Sequence, residues 1–175
     1  MPIFGMFACW ARLQSMERES KPASCERCDF DQDGIHFGCL ELRLYTHTMT
    51  KLFLIGAGGF IGSVLRYVIS GFAQTLSQSI AFPYGTLAVN VLGCFCIGFL
   101  SELFDARSLI GPDTRAFLVV GILGGFTTFS AFGNETMNLM REGEATLALM
   151  NVGAQVLLGL GAVWLGYTLA YVIWR

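Results

Sequence analysis

Residues 49–175 contain four apolar runs, each long enough to cross a bilayer as a helix, joined by connections too short to hold a domain. A hydrocarbon core of about 30 Å takes roughly 20 helical residues. The runs lie near 52–72, 84–104, 117–140 and 145–174, linked by "AQTLSQSIAFP", "DARSLIGPDTR" and "REGE". Pro83 and Pro112 stand just before helix starts, where a missing N–H costs little. The expected fold is an all-α membrane protein of four transmembrane helices.

Charge divides the chain at about Met49. Residues 1–48 carry five basic and seven acidic side chains, whereas residues 49–175 carry six of each. Both parts are close to neutral, so no basic stripe is present to meet the phosphates of a nucleic acid. Met49 is followed by Thr50-Lys51 and then by the first apolar run, as in many small proteins of the cell inner membrane. The leader 1–48 lacks the basic start of a signal peptide. It reads as an overextended start, a disordered cytoplasmic tail or a small folded module.

Two patterns in the leader suggest metals. Cys25, Cys28, His36 and Cys39 supply a tetrahedral donor set, but their spacing fits no common zinc finger. Asp29, Asp31, Asp33 and Gly34 match the start of a calcium loop, which then needs Glu at its twelfth position; the chain has Leu40 there. Cys94 and Cys96 lie in an apolar run, where a thiol packs as a small hydrophobe.

Four spans without an extramembrane module point to a small channel or transporter subunit. One such subunit leaves little room for an aqueous path, so an oligomer is expected. Gly58 and Gly62 form a GxxxG, and Gly85, Gly93, Gly98, Gly159 and Gly166 add further sites of close helix approach. Lys51, Arg107, Arg115 and Arg175 fall on one side of the membrane, against Arg141 and the outer-end Arg66 on the other. This bias is small for the rule that places basic residues in the cytoplasm, and it permits insertion in both orientations.

Polar residues inside a span are costly, and each marks a candidate site. Asn90 shares a helix face with Thr86 and Gly93, and its amide offers two N–H donors. It suits either an interhelical hydrogen bond or a ligand. Arg66 either snorkels to the interface or lends positive potential to an anion vestibule.

The stretch "GILGGFTTFSAFGNE" (121–135) is poor helix sequence, with paired glycines and paired β-branched threonines. A break there frees backbone carbonyls, which lipid tolerates only where they are buried or line a site. Such carbonyls are hard donors for a cation such as sodium, as in other transport proteins with broken helices. Phe129 and Phe132 share a face just beyond, either as packing or as ring edges offered to a small anion. Ser130 adds a hydroxyl.

A proton-coupled small multidrug transporter has a similar layout but needs a carboxylate in its first span. Residues 52–72 contain none. A membrane assembly subunit would account for the helices but not for Asn90, Arg66 and the third-span break. An enzyme is disfavoured, because residues 49–175 contain no histidine and no paired carboxylates within a span. Glu135 reads as a buried hydrogen-bonding group near the break.

"GGFIGSVLRY" (58–67), "FPYGTLAVNVLGCFCIGFL" (82–100) and "GGFTTFSAFGNET" (124–136) together resemble the CrcB/Fluc family of fluoride channels, in order and spacing, over nearly all of 51–175. The resemblance implies an antiparallel, dual-topology homodimer that exports fluoride passively through two pores. It implies a third-helix break from Gly124 to Thr128 that holds a structural, non-transported sodium on the carbonyls of Gly124 and Thr127 from both subunits. It also implies pores lined at Phe129, Phe132 and Asn90, with Ser130, Arg66 and Gln155 along the anion path. Two positions depart from the pattern. Ala131 stands where threonine is usual, and Gln155 where a pore-facing serine is usual; glutamine can still donate through its amide, but it is bulkier.

Overall fold

The computed structural model describes residues 35–79, 81–107 and 111–174, with side chains for 48–79, 81–104 and 111–174. The four membrane-capable stretches lie within the unit Leu40–Arg175. The zinc and calcium patterns of the leader lie outside the described side chains.

Helix α1 spans Ile35–Ser77 and α2 spans Tyr84–Arg107. The third passage is built in pieces: a turn, α3 (Pro112–Arg115), a π-wound segment (Ala116–Leu123), another turn, α4 (Gly124–Phe126), and the helix α5 (Phe129–Arg141). Helix α6 (Ala145–Trp174) ends the bundle. Among the described residues, four stretches are long and apolar enough to cross a membrane: Thr48–Ser77, Tyr84–Phe104, Pro112–Arg141 and Ala145–Trp174. The four expected spans are thus present, the second and fourth with the expected bounds and the first and third longer than hydropathy alone suggested. Apolar side chains such as Phe60, Val68, Leu157 and Trp164 are exposed along them, as lipid-facing positions should be.

Gln74 makes three of the hydrogen bonds that hold the α1–α2 connection, and the Ser79 hydroxyl adds another by accepting from the Phe82 N–H. Gln74 donates through Nε2 to the carbonyls of Ser79 (2.5 Å) and Phe82 (3.2 Å), while its Oε1 accepts from the Gly85 N–H at 3.0 Å. Gln78 ends α1 in the left-handed region (φ 50°), which turns the chain toward Pro83 and α2. At the other end of α2, the Arg115 guanidinium lies 5.2 Å from the Phe104 ring centroid, tying α2 to the start of the third passage.

The bundle packs closely because it lacks side chains where helices cross. A Cβ on Gly62 would collide with the Ile122 carbonyl and lie 2.9 Å from the Phe126 nitrogen; one on Gly58 would lie 2.7 Å from the Phe117 carbonyl. These two glycines are the expected GxxxG, and they bring α1 backbone to backbone with the third passage. We expect Gly62→Val to destabilise the protein by about 2 kcal/mol or more, the cost of forcing volume into a filled crossing. Gly59→Ala is the control, since its Cβ would meet nothing within 4 Å. Thermal unfolding in detergent checks this: equal melting of Gly62→Val and the parent would mean the crossing is not tight.

The third passage differs in detail from expectation. Gly124 and Gly125 lie in helix, with Gly124 at φ −62°, ψ −37°. Extended backbone is confined to Thr127 (φ −79°, ψ 156°) and Thr128 (φ −148°, ψ 106°), and the passage remains one span with only a slight bend. Gly125 serves proximity here, not backbone freedom: a Cβ on it would lie 2.6 Å from the Gly59 carbonyl.

Candidate functional site

Thr127 and Thr128 organise the centre of the molecule. Thr127 is fixed on both sides. Its Oγ1 donates to the Leu123 carbonyl at 3.0 Å, and its methyl occupies the space that a Cβ on Gly93 would need. Thr128 caps α5, accepting on Oγ1 from the Ala131 N–H at 3.2 Å. Its own N–H donates to Asn90 Oδ1 at 2.8 Å.

These two bonds have a consequence for the carbonyls. In an uninterrupted helix the Thr128 N–H would reach the Gly124 carbonyl, and the Ala131 N–H would reach the Thr127 carbonyl. Both donors are instead taken by side-chain oxygens. Neither N–H is therefore directed as it would be in an uninterrupted helix, toward the carbonyls of Gly124 and Thr127. Among the described residues no group of three or more His, Cys, Asp or Glu could hold a metal, so a cation here would rest on neutral oxygens.

Asn90 bridges α2, the interruption and α6. Its Nδ2 donates to the Thr128 carbonyl at 3.1 Å and to Gln155 Oε1 at 3.2 Å. The interhelical reading of Asn90 is thus realised, and both of its N–H groups are engaged within the chain.

Two clefts flank Thr128. The smaller, about 460 Å³, is bordered by Asn90, Thr127, Thr128, Phe129, Phe132 and Gln155, and Gly124 also lies on its wall. All of its described lining residues are uncharged. Phe129 is 82% exposed, and its ring meets that of Phe132 edge to face, with centroids 5.4 Å apart. The larger cleft, about 1020 Å³, is bordered by Arg66, Tyr67, Gln74, Thr86, Glu135 and Glu142.

The structure thus gathers Asn90, Phe129, Phe132, Gln155, Gly124 and Thr127 around one cleft and sets Arg66 in the other. Ser130 is exposed beside them, its hydroxyl 3.4 Å from that of Thr128. Glu135 hydrogen-bonds as the sequence suggested: its Oε1 accepts from the Thr86 hydroxyl at 2.5 Å. Sequence reasoning missed Asn151, which is fully buried and donates to Thr136 Oγ1 at 2.9 Å. An amide early in an apolar run was the available signal.

On α5, Ser130, Asn134 and Asn138 recur every fourth residue and are all exposed. Polar groups on a membrane span are stable only against protein or water. This stripe therefore faces one of the two, not lipid.

The sequence matches known proteins over this same region. The family model described as "CrcB-like protein, Camphor Resistance (CrcB)" matches residues 53–167. A protein of Elusimicrobium minutum named "Fluoride-specific ion channel FluC" is 49% identical over 125 residues, which are 71% of this chain and 97% of that protein. The protein of the same name from Parabacteroides distasonis is 50% identical over 121 residues, 69% of this chain and 93% of its own length. One from Rhizobium etli is 47% identical over 115 residues, 66% of this chain and 91% of its own length. By these matches, with the family model spanning residues 53–167 and so every residue of the site, the chain belongs to the CrcB-like family.

Proposed function

We propose that the chain forms a fluoride-selective channel that exports fluoride passively across the cytoplasmic membrane and so lowers fluoride toxicity inside the cell. Support comes from the relatives named as fluoride-specific channels at 42–50% identity. The structural observation that carries the reading is the smaller cleft: an uncharged wall of amides, threonine groups and phenyl edges beside the interruption. A conducting path must bind its ion well enough to dehydrate it and weakly enough to release it. Amide and hydroxyl donors and positive ring edges meet both needs, whereas a buried lysine or arginine would trap the anion.

The working unit in this reading is a homodimer of two inverted subunits, with the third passages facing each other. The exposed stripe Ser130–Asn134–Asn138 and the exposed Phe129 and Gly124 lie on the surface that a partner and a water-filled path would cover. The small bias of basic residues, four at one membrane face against two at the other, permits dual topology. Arg66, set in the larger cleft, draws anions toward the entrance, with Tyr67 beside it. Phe129 and Phe132 line the narrow part, Ser130 supplies a hydroxyl, and Asn90 holds the wall in shape. The interruption at Thr127–Thr128 acts as a functional helix break. The carbonyls of Gly124 and Thr127 from both subunits would hold a structural sodium, which neutralises their exposed dipoles and cements the dimer centre.

The deciding experiment is fluoride efflux from liposomes that contain the purified protein, followed with a fluoride electrode in sodium buffer. Fluoride leaves down its gradient and chloride is retained. Efflux no faster than from empty liposomes overturns the proposal.

A further inference from the structure

A backbone carbonyl can only accept, and a hydroxyl has one hydrogen to give. Together these facts orient the buried amide of Asn151. The Thr136 hydroxyl donates to the Phe132 carbonyl at 2.8 Å. Its oxygen can then only accept from Asn151, so the amide atom facing it at 2.9 Å is the donor, Nδ2. A relay thus runs from α6 through Thr136 to the backbone of Phe132. Asn151 is fully buried, and its Oδ1 has no hydrogen-bond partner among the described residues. Such an amide stabilises a fold poorly. A buried acceptor without a partner costs at least as much as one hydrogen bond returns, and an apolar pair of the same shape would serve packing as well. An amide kept inside a membrane span at that cost points to a role beyond stability.

We propose that Asn151 and Thr136 are positioning residues for the ring pair Phe129–Phe132, and that neither touches the anion. Neither is among the described residues that border the two clefts. The turn that carries the rings is held at both ends, by amides from two other helices. At its start, Asn90 of α2 bonds both the N–H and the carbonyl of Thr128. At its end, Asn151 of α6 reaches the Phe132 carbonyl through Thr136. Little else in the subunit fixes the exposed Phe129, whose ring rests edge to face on that of Phe132. The backbone of Phe132 therefore places both rings. Without the relay, a small roll or slide of α5 against α6 would carry them off the wall of the smaller cleft, where ring edges act only at the right distance and angle.

This inference rests on the fluoride-channel reading, and the test separates the two. Asn151→Leu and Thr136→Val each keep the shape of the side chain and break the relay. Thr136→Val alone strands the Asn151 amide and is expected to melt about 5 °C below the parent in detergent. The double variant Asn151→Leu/Thr136→Val replaces both partners with apolar groups, so its melting temperature is expected to return to within about 2 °C of the parent. Its fluoride flux in liposomes is nevertheless expected to stay about tenfold below the parent, with an unchanged elution volume on size-exclusion chromatography. Thr136→Ser keeps the hydroxyl and is expected to pass fluoride within about twofold of the parent. Should the double variant fail to assemble, Asn151→Leu alone carries the same expectation for flux, since it removes the amide together with its unpaired oxygen. Recovery of flux together with melting temperature, to within about threefold of the parent, would show that the relay serves stability alone. A serine variant as slow as the double variant would show that the hydroxyl is not what holds Phe132. Either result overturns the inference while the channel reading stands. A parent protein that passes no fluoride overturns the channel reading itself.

Discussion

Replacing all sodium with a large organic cation is expected to abolish fluoride flux, and readdition of sodium to restore it. The reason lies in two diverted hydrogen bonds. The Thr128 N–H is held by Asn90 and the Ala131 N–H by the Thr128 hydroxyl, so the carbonyls of Gly124 and Thr127 lack the donors that a helix would give them. A backbone carbonyl left without a partner in hydrocarbon costs several kcal/mol. In the proposed dimer four such oxygens converge, which makes a loss of the cation far more costly than a loss of packing. Neutral oxygens also hold a monovalent ion without the carboxylates that divalent ions prefer. The structure refines one part of this expectation. A Cβ on Gly124 would meet nothing nearer than the Val119 carbonyl at 3.8 Å, so a side chain there is tolerated within one subunit. Gly124→Val should therefore leave the subunit folded and instead weaken dimerisation and sodium dependence together. Flux that is indifferent to sodium, in protein shown by elemental analysis to have lost the ion, would leave these carbonyls without the proposed role.

The four spans were legible because lipid imposes one dominant requirement, an apolar run of sufficient length, and the sequence states it openly. Their ends were less so. Hydropathy marks where a chain suits lipid, whereas helical hydrogen bonding continues into polar residues. Hence α1 covers Ile35–Ser77 where 52–72 was expected, and the third passage starts at Pro112, not near Phe117. The π winding of Ala116–Leu123 left no trace, since an apolar segment reads the same whether its bonds close on the fourth or the fifth residue. In place of the break expected from Gly124 to Thr128, the third passage bends only slightly, with extended backbone at Thr127 and Thr128. Paired glycines suggested backbone freedom, yet Gly125 is there because α1 leaves no room for a side chain. It is the threonines that extend, with Asn90 and the Thr128 hydroxyl taking up the released N–H groups. That pairing joins residues 38 apart in the chain, and one sequence without its fold gives no means of matching them.

The second large effect concerns the two phenylalanines. Replacing Phe129 or Phe132 with isoleucine keeps much of the apolar volume but removes the ring edge, whose positive potential is what an anion would meet. The two explanations for these rings now separate more cleanly than they did in the sequence. Phe129 is 82% exposed in the subunit, so it contributes little to the packing of its own fold. Substitution at such a position changes subunit stability by only about 0.5 kcal/mol or less. Its value must come from a partner, from the ion, or from both. If its edge stabilises fluoride at the narrowest point, a loss of about 2–3 kcal/mol there slows flux by roughly 30- to 150-fold. Phe132 is more enclosed and meets Phe129 edge to face, so its replacement removes one edge and also frees its neighbour to move. A fall in flux at Phe132 at least as steep as at Phe129 is therefore expected. Efflux, melting temperature and the dimer fraction in detergent, measured on the same preparations, separate the cases. A steep fall in flux with an intact dimer assigns the rings to the anion path. Unchanged flux with a weakened dimer assigns them to packing between subunits, and would remove the phenyl edges from the conduction mechanism.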